Sequence, residues 1–321
     1  MTEQTGAIDA GLALERRKST GLWRDAFKRL IRNRLAIVGG IIVVFLLIVA
    51  AIGPLITPWP YEEQHTQEVI QNNNRPLVPF QQLEGVDHVH YLGTDNLGRD
   101  MLSRLMDGAR ISIMVALVVQ AVVLLIGIPV GAAAAWFGGR IDTALMRVTD
   151  VVYAYPDLLF IILLGVAFRE TFFGKALDGL LLVFVAIGLT TWVTMARLVR
   201  GQLLSLKETE FVEAARAIGV SDRRIVTKHL LPNALGPIIV AVTLGIPIAI
   251  LAEATLAFIG IGVQAPRASW GSLVADGQAY LRSFPHMVLF PAIAIAVALI
   301  SFTFLGDGLR DALDPKLKGK Q

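Results

Sequence analysis

Residues 213–233 read E-A-A-R-A-I-G-V-S-D-R-R-I-V-T-K-H-L-L-P-N, between two long apolar runs at 179–199 and 234–261. A charged, glycine-broken stretch cannot sit in hydrocarbon, where every backbone polar group must find a partner. It therefore reads as a loop outside the bilayer with structure of its own. Phe211, Ala214, Ala215 and Ile218 recur at the i, i+3, i+4, i+7 spacing and predict one apolar helical face. Glu208, Glu210, Glu213 and Arg216 fall mostly elsewhere. Gly219 suits the left-handed conformation that ends helices. Ser221 or Asp222 is then placed to cap a second helix carrying Ile225, Val226, Leu230 and Leu231. Pro232 and Pro237 punctuate the entry into the next apolar run. The expected product is a short helix–turn–helix on the membrane surface, with small residues that let a partner approach the backbone.

The rest of the chain agrees with a membrane setting. Of 321 residues, 55% are hydrophobic and 17% charged, against about 25% charged in soluble domains, and the mean hydropathy is +0.62. The length therefore implies an all-α membrane bundle and not two soluble domains. Six runs suffice to cross a bilayer, near 35–57, 110–138, 148–168, 179–199, 234–261 and 286–306. With the N-terminus inside, 21 of the 29 basic residues fall on inner segments. That asymmetry predicts cytosolic N- and C-termini and a cytosolic 213–233 segment. It also explains the net charge of +3 without nucleic acid. Residues 1–34 form a basic arm, 35–57 a first span and 58–109 an extracytoplasmic loop. Residues 110–306 form a five-span core with the loop 200–233 inside it, and 307–321 a tail. Gly127, Gly131 and the alanines of 132–135 offer a close-packing surface. Pro129, Pro156, Pro237, Pro247 and Pro291 are placed to bend helices, as ordinary packing or as hinges.

Glu213-Ala214-Ala215, Gly219 and Leu231-Pro232 resemble the E-A-A loop of ABC-importer permeases, with His229 where that pattern has an aliphatic residue. Residues 90–112, H-Y-L-G-T-D-N-L-G-R-D-M-L-S-R-L-M-D-G-A-R-I-S, resemble the signature of the dipeptide, oligopeptide and nickel class. There Thr94 or Asp95 is placed to cap an interfacial helix, with Met101, Leu102, Leu105 and Met106 apolar and Arg99, Asp100, Arg104 and Asp107 on its polar side. Segments 146–150, 257–262 and 306–315, the last reading G-D-G-L-R-D-A-L-D-P, are similar to the same class. The basic arm, first span and long outer loop suit the C-type partner of its two permease subunits.

The resemblance implies a transport subunit that is not itself the ATPase. Its partners would be a second homologous permease, two ATP-binding cassette subunits, an extracytoplasmic solute-binding protein and the lipid bilayer. Glu213, Ala214, Ala215 and Gly219 would couple to the ATPase, with Leu231 and Pro232 framing them. The cargo would be di- or oligopeptides, or else nickel chelates, glutathione or sugars. A stand-alone secondary transporter fits less well, since no repeat relates the two halves.

Ionisable residues inside apolar runs are functional candidates. Glu253 lies near the outer end of its run, as a carboxylate bonded between helices or as a gate. Asp157 follows Pro156 and is the other pathway candidate. Arg147 and Asp150 are i, i+3 neighbours suited to pairing. No catalytic constellation is present, and Gly-Lys at 174–175 and 319–320 lacks the earlier glycine of a phosphate loop. The chain has no cysteine. Its five histidines, His65, His88, His90, His229 and His286, are scattered; His88 and His90, two apart in a loop, are a weak metal signal that more often marks plain solvated histidine. No metal site and no cofactor are assigned.

Overall fold

A computed structural model describes residues 22–314. Arg16, Arg17 and Lys18 of the basic arm, and Pro315 and the lysines of the tail, lie outside the described residues. The elements are helical: α1 (Leu22–Leu30), α2 (Arg34–Ile56), α3 (Thr66–Gln71), α4 (Met101–Phe137), α5 (Gly139–Ala154), α6 (Asp157–Phe168), α7 (Phe172–Lys175), α8 (Leu180–Lys207), α9 (Glu210–Ala217), α10 (Asp222–Ile225), α11 (Leu231–Phe258), α12 (Trp270–Gly277) and α13 (His286–Leu313).

Among the described residues, α2, α4, α8, α11 and α13 belong to five helices long and apolar enough to cross a membrane. The run 148–168 is not one straight span. It divides into α5 and α6, which meet at 80°. Pro156 is the physical cause: it forces Tyr155 out of helical conformation, and Tyr155 is extended at φ −80° and ψ 137°. Pro129, Pro237, Pro247 and Pro291 stay inside continuous helices.

Small residues set the packing. The α4–α8 pair is the most extensive contact in the bundle. A methyl group on Gly127 would stand 2.7 Å from Met195 Cβ, and one on Gly188 2.6 Å from Val122. Gly131 faces the backbone of Ala196 in the same seam, and Ala132, Ala134 and Ala135 are buried beside it. The close-packing surface read from the sequence is this seam. At its start α2 is capped by Asn33, whose side-chain oxygen accepts from the Leu35 and Ala36 N–H groups at 3.1 and 3.2 Å. Along its length Gly39 meets α13 and Gly53 meets Met106 of α4, while Ile41, Phe45, Ile48 and Ile52 stay exposed on the outer face.

The helix α4 is long, about 55 Å at 1.5 Å per residue, so its two ends define opposite ends of the molecule. The loop 57–100 leads into its N-terminus. The segment α9–α10 sits at its C-terminus, because the Lys207 ammonium donates to the carbonyls of Ala135 and Trp136 at 3.1 and 2.8 Å. The end of α13 joins that second end: Leu313 approaches Gly236 of α11, and Arg29 of α1 donates to the Asp314 carbonyl at 3.4 Å.

Candidate functional site

The helix α9 ends as the sequence requires. Gly219 has φ +78°. Its N–H donates to the Arg216 carbonyl at 2.9 Å, and the Val220 N–H to the Ala215 carbonyl at 3.0 Å. That pair of bonds is a Schellman closure, which only a left-handed residue at position 219 permits. The second helix follows at Ser221, which stands extended at the cap position but makes no side-chain cap bond. A wide π-type turn, Val226–Leu230, then runs into α11. Leu231 is half-buried and Pro232 exposed in the first turn of α11, where the missing proline N–H is no loss.

The apolar face expected of α9 is divided. Val212 and Ala215 turn inward, buried with Ile225 and Leu230. Phe211, Ala214 and Ile218 turn outward beside Glu213, and Ile218 is 81% exposed. The sequence placed Ala215 with the outward set; in the fold it is the anchor, since Val212 supplies the inner stripe at i and Ala215 follows at i+3. The surface left facing outward combines Ala214, Gly219 and a carboxylate with two large apolar side chains. The guanidinium of Arg216 and the ammonium of Lys207 lie 5.1 and 5.3 Å from the Trp136 ring, fastening this segment to the end of α4. Nearby, Arg200 donates twice to Asp142, each bond 2.6 Å. Asp150 takes Arg197 at 2.8 Å and stands 3.9 Å from Arg147, so the expected i, i+3 pair is the weaker contact.

At the other end Glu253 is 1% exposed on α11. One carboxylate oxygen accepts from the Ser112 hydroxyl of α4 at 3.3 Å. The same hydroxyl accepts from the Trp270 N–H of α12 at 3.1 Å, and the Trp270 indole N–H donates to the Leu105 carbonyl at 3.0 Å. Glu253 thus joins three helices of its own chain. Asp157 stands exposed at the first position of α6, where a negative charge suits the helix N-terminus.

An exposed, small-residue helical hairpin thus stands at the foot of a helical bundle. The family described as binding-protein-dependent transport system inner membrane component matches residues 127–319. The chain belongs to this family. A second match, to the N-terminal TM domain of oligopeptide transport permease C, covers residues 21–76. The oligopeptide transport system permease protein OppC of Bacillus subtilis is 40% identical over 302 residues, covering 94% of this chain and 92% of that protein. The dipeptide transport system permease protein DppC of Bacillus subtilis is 42% identical over 304 residues, covering 94% and 88%. The Escherichia coli K12 OppC is 40% identical over 295 residues, covering 92% and 91%. In fold, an inward-facing form of the MetNI methionine ABC transporter matches with TM-score 0.54 at 21% identity, over 67% of this chain and 98% of that one. The chain is a multi-pass membrane permease of an ABC import system.

The permease's entry into α4 differs from the sequence expectation. There is no separate interfacial helix before the span: α4 starts at Met101, and Asp100 is the cap, accepting from the Ser103 N–H at 2.8 Å. Arg99, Asp100, Arg104 and Asp107 are buried, not on a wet face. Asp95 holds the two arginines. One of its oxygens accepts from the backbone N–H groups of Leu97 and Arg99. The other takes the Arg99 Nε at 2.7 Å and Arg104 Nη1 at 2.5 Å. The Arg104 guanidinium also reaches Asp276 of α12 at 3.3 Å. His90 is buried too. Burial disfavours its charged form, but the hydrogen bond and charge of Asp100, with the charge of Glu68, outweigh that and hold its pKa above the ordinary histidine value. The sequence signal for this network was the density of Asp and Arg in 95–107; what it lacked was the partners, Asp276 and, through His90, Glu68.

Proposed function

We propose that this chain is the C-type permease of an ATP-driven importer of di- and oligopeptides. A second permease, two ATP-binding cassette subunits and an extracytoplasmic solute-binding protein complete the system. The family implies such an assembly, and the relatives named for oligopeptide and dipeptide transport support the cargo. The observation that carries the coupling role is the outward face of α9. Phe211, Ala214 and Ile218 are apolar, exposed and flanked by Glu213, on a helix whose inner side is already packed. Large apolar side chains exposed on a helix anchored from behind suit a partner's groove. ATP-driven closure of the two cassettes would draw the paired α9 segments together. Differential binding would then shift the bundle between inward and outward openings.

In this reading both termini and α9–α10 are cytosolic, and the loop 57–100 is outside. The charge asymmetry supports this, as does the grouping of α1, the end of α13 and α9–α10 at one end of the bundle. Glu253 serves as packing between α4, α11 and α12, because its carboxylate points into its own chain.

Two measurements test the proposal. Affinity capture of the cassette subunits should succeed with the wild-type chain and fail with Glu213→Lys; equal recovery from both would refute the coupling role. A single cysteine at Glu84, exposed in the outer loop of this cysteine-free chain, should react with an impermeant maleimide on intact cells. Labelling only after lysis would reverse the topology.

A further inference from the structure

The loop between α2 and α4 gathers three of the five histidines. We propose that His65, Glu68, His88 and His90 bind one divalent cation of the zinc class, and that the ion fastens this loop to the start of α4. One potential ligand atom from each residue lies within 4.8 Å of all the others. The Glu68 carboxylate is at the centre. One oxygen lies 3.1 Å from His65 Nδ1 and 2.9 Å from His88 Nε2, and the other 3.2 Å from His90 Nε2. Glu68 and His90 are buried, at 8% and 1% exposure. The His88 side chain is 38% exposed and leaves an open edge for entry. The Trp59 ring walls the cluster, with its centroid 4.7 to 5.4 Å from the three imidazoles.

Two features separate this from a chance grouping of polar side chains. First, three imidazoles converge on a single carboxylate. Without a cation, His90 must donate from both nitrogens at once, to Asp100 at 2.7 Å and to Glu68. With a cation it needs only the Asp100-facing proton and turns a lone pair inward. Second, that Asp100 bond supplies the outer-shell carboxylate that orients metal-binding histidines.

The donor set selects the ion. Three nitrogens and one carboxylate favour borderline divalent transition metals over calcium or magnesium, which take oxygen ligands. Four protein donors and no free position describe a structural zinc site. Tetrahedral zinc with bonds of about 2.0–2.2 Å places its ligands about 3.3–3.6 Å apart, so the widest pair closes on loading. The mechanical consequence follows from Asp100. One of its oxygens orients His90, and the other accepts from the Ser103 N–H and hydroxyl at 2.8 and 3.0 Å, at the first turn of α4. The ion would tie α3, the 88–90 segment and the head of α4 together in a loop that has no disulfide to do so.

The test uses the full-length permease in its membrane complex, tag removed and stripped with chelator, then titrated with Zn²⁺ alone. Elemental analysis should find a single zinc per chain. His88→Gln and His90→Gln should each weaken binding by about 100-fold, and Asp100→Asn by roughly 10–100-fold. His229→Gln, in the α10–α11 turn, should leave zinc binding unchanged. Zinc should slow proteolysis within residues 58–100 of the wild type but not of His88→Gln, whose partly exposed position keeps the variant folded. A wild-type protein that retains no zinc, or a His88→Gln variant that binds it equally, would reject the site. Zinc binding with unaltered proteolysis would reject the fastening role.

Discussion

The two ends of α4 treat their charged residues in opposite ways. At its C-terminal end, α9 holds itself with Val212 and Ala215 and leaves Glu213, Phe211 and Ile218 facing outward. At its N-terminal end, Asp95, Arg99, Asp100 and Arg104 turn inward: Asp95 pairs with both arginines, and Asp100 takes His90 and Ser103. Both stretches are rich in charge. The difference teaches that charge alone does not mark a surface: a network with enough partners can be buried to fix a backbone, and a charge without internal partners is available to something else. One end presents an exposed apolar face and the other is closed on itself.

The contrast is most easily broken at the outward end. Glu213→Lys should abolish uptake while leaving stability within about 0.5 kcal/mol, as expected of an exposed position. Uptake and thermal unfolding measured on the same preparation check both halves. Loss of stability equal to the loss of transport would mean that Glu213 is structural. Gly219→Ala sharpens the point. It meets no neighbour within 4 Å, so its cost should be the left-handed backbone, about 1 kcal/mol, with reduced and not abolished uptake.

At the inward end the expected effect falls on folding. Asp95→Ala strands the buried Arg99 guanidinium, leaves Arg104 only its contact to Asp276, and should cost about 3–5 kcal/mol, seen as a lowered midpoint in detergent unfolding or as failed insertion. An Asp95→Ala variant as stable as wild type would show that the network carries no net weight. Glu253 is a milder case of the same logic. Glu253→Leu removes the acceptor for the Ser112 hydroxyl and should cost about 1–3 kcal/mol. Glu253→Gln keeps an acceptor there, and uptake should stay near wild type. Strong loss of uptake by the Gln variant, with the complex intact, would restore Glu253 to the transport pathway.

The smallest effect is expected at the exposed pair. Arg147→Ala should shift unfolding by less than about 0.5 kcal/mol, because exposed ion pairs contribute little and Asp150 keeps Arg197 at 2.8 Å. A large destabilisation there would mean that the α5–α8 surface is covered by another subunit.

Some of this was legible before any coordinates. The spans were, because crossing hydrocarbon demands long uninterrupted apolar runs, and such runs are visible without knowing what packs where. The hinge of α9–α10 was, because a Schellman closure is local: Gly219 bonds three positions back and Val220 five. The small-residue seam of Gly127 and Gly131 was visible for the same reason. The readings that went astray turned on which side faces inward and on a single proline. Ala215 moved to the core because Val212 lies one helical turn before it. The run 148–168 divided because Pro156 acts on its predecessor more strongly than apolarity acts to keep a span straight.

Sequence by itself therefore determined a membrane bundle, its segments and the local turns, since each depends on neighbours a few residues away or on composition. Tertiary structure alone decided the fate of the charges. Arg104 is matched by Asp276, 172 positions later, and His90 by Glu68, 22 positions earlier. Whether a polar side chain is buried or exposed depends on the partners that reach it. Those partners are brought together by helix packing across the whole chain, which no local pattern encodes.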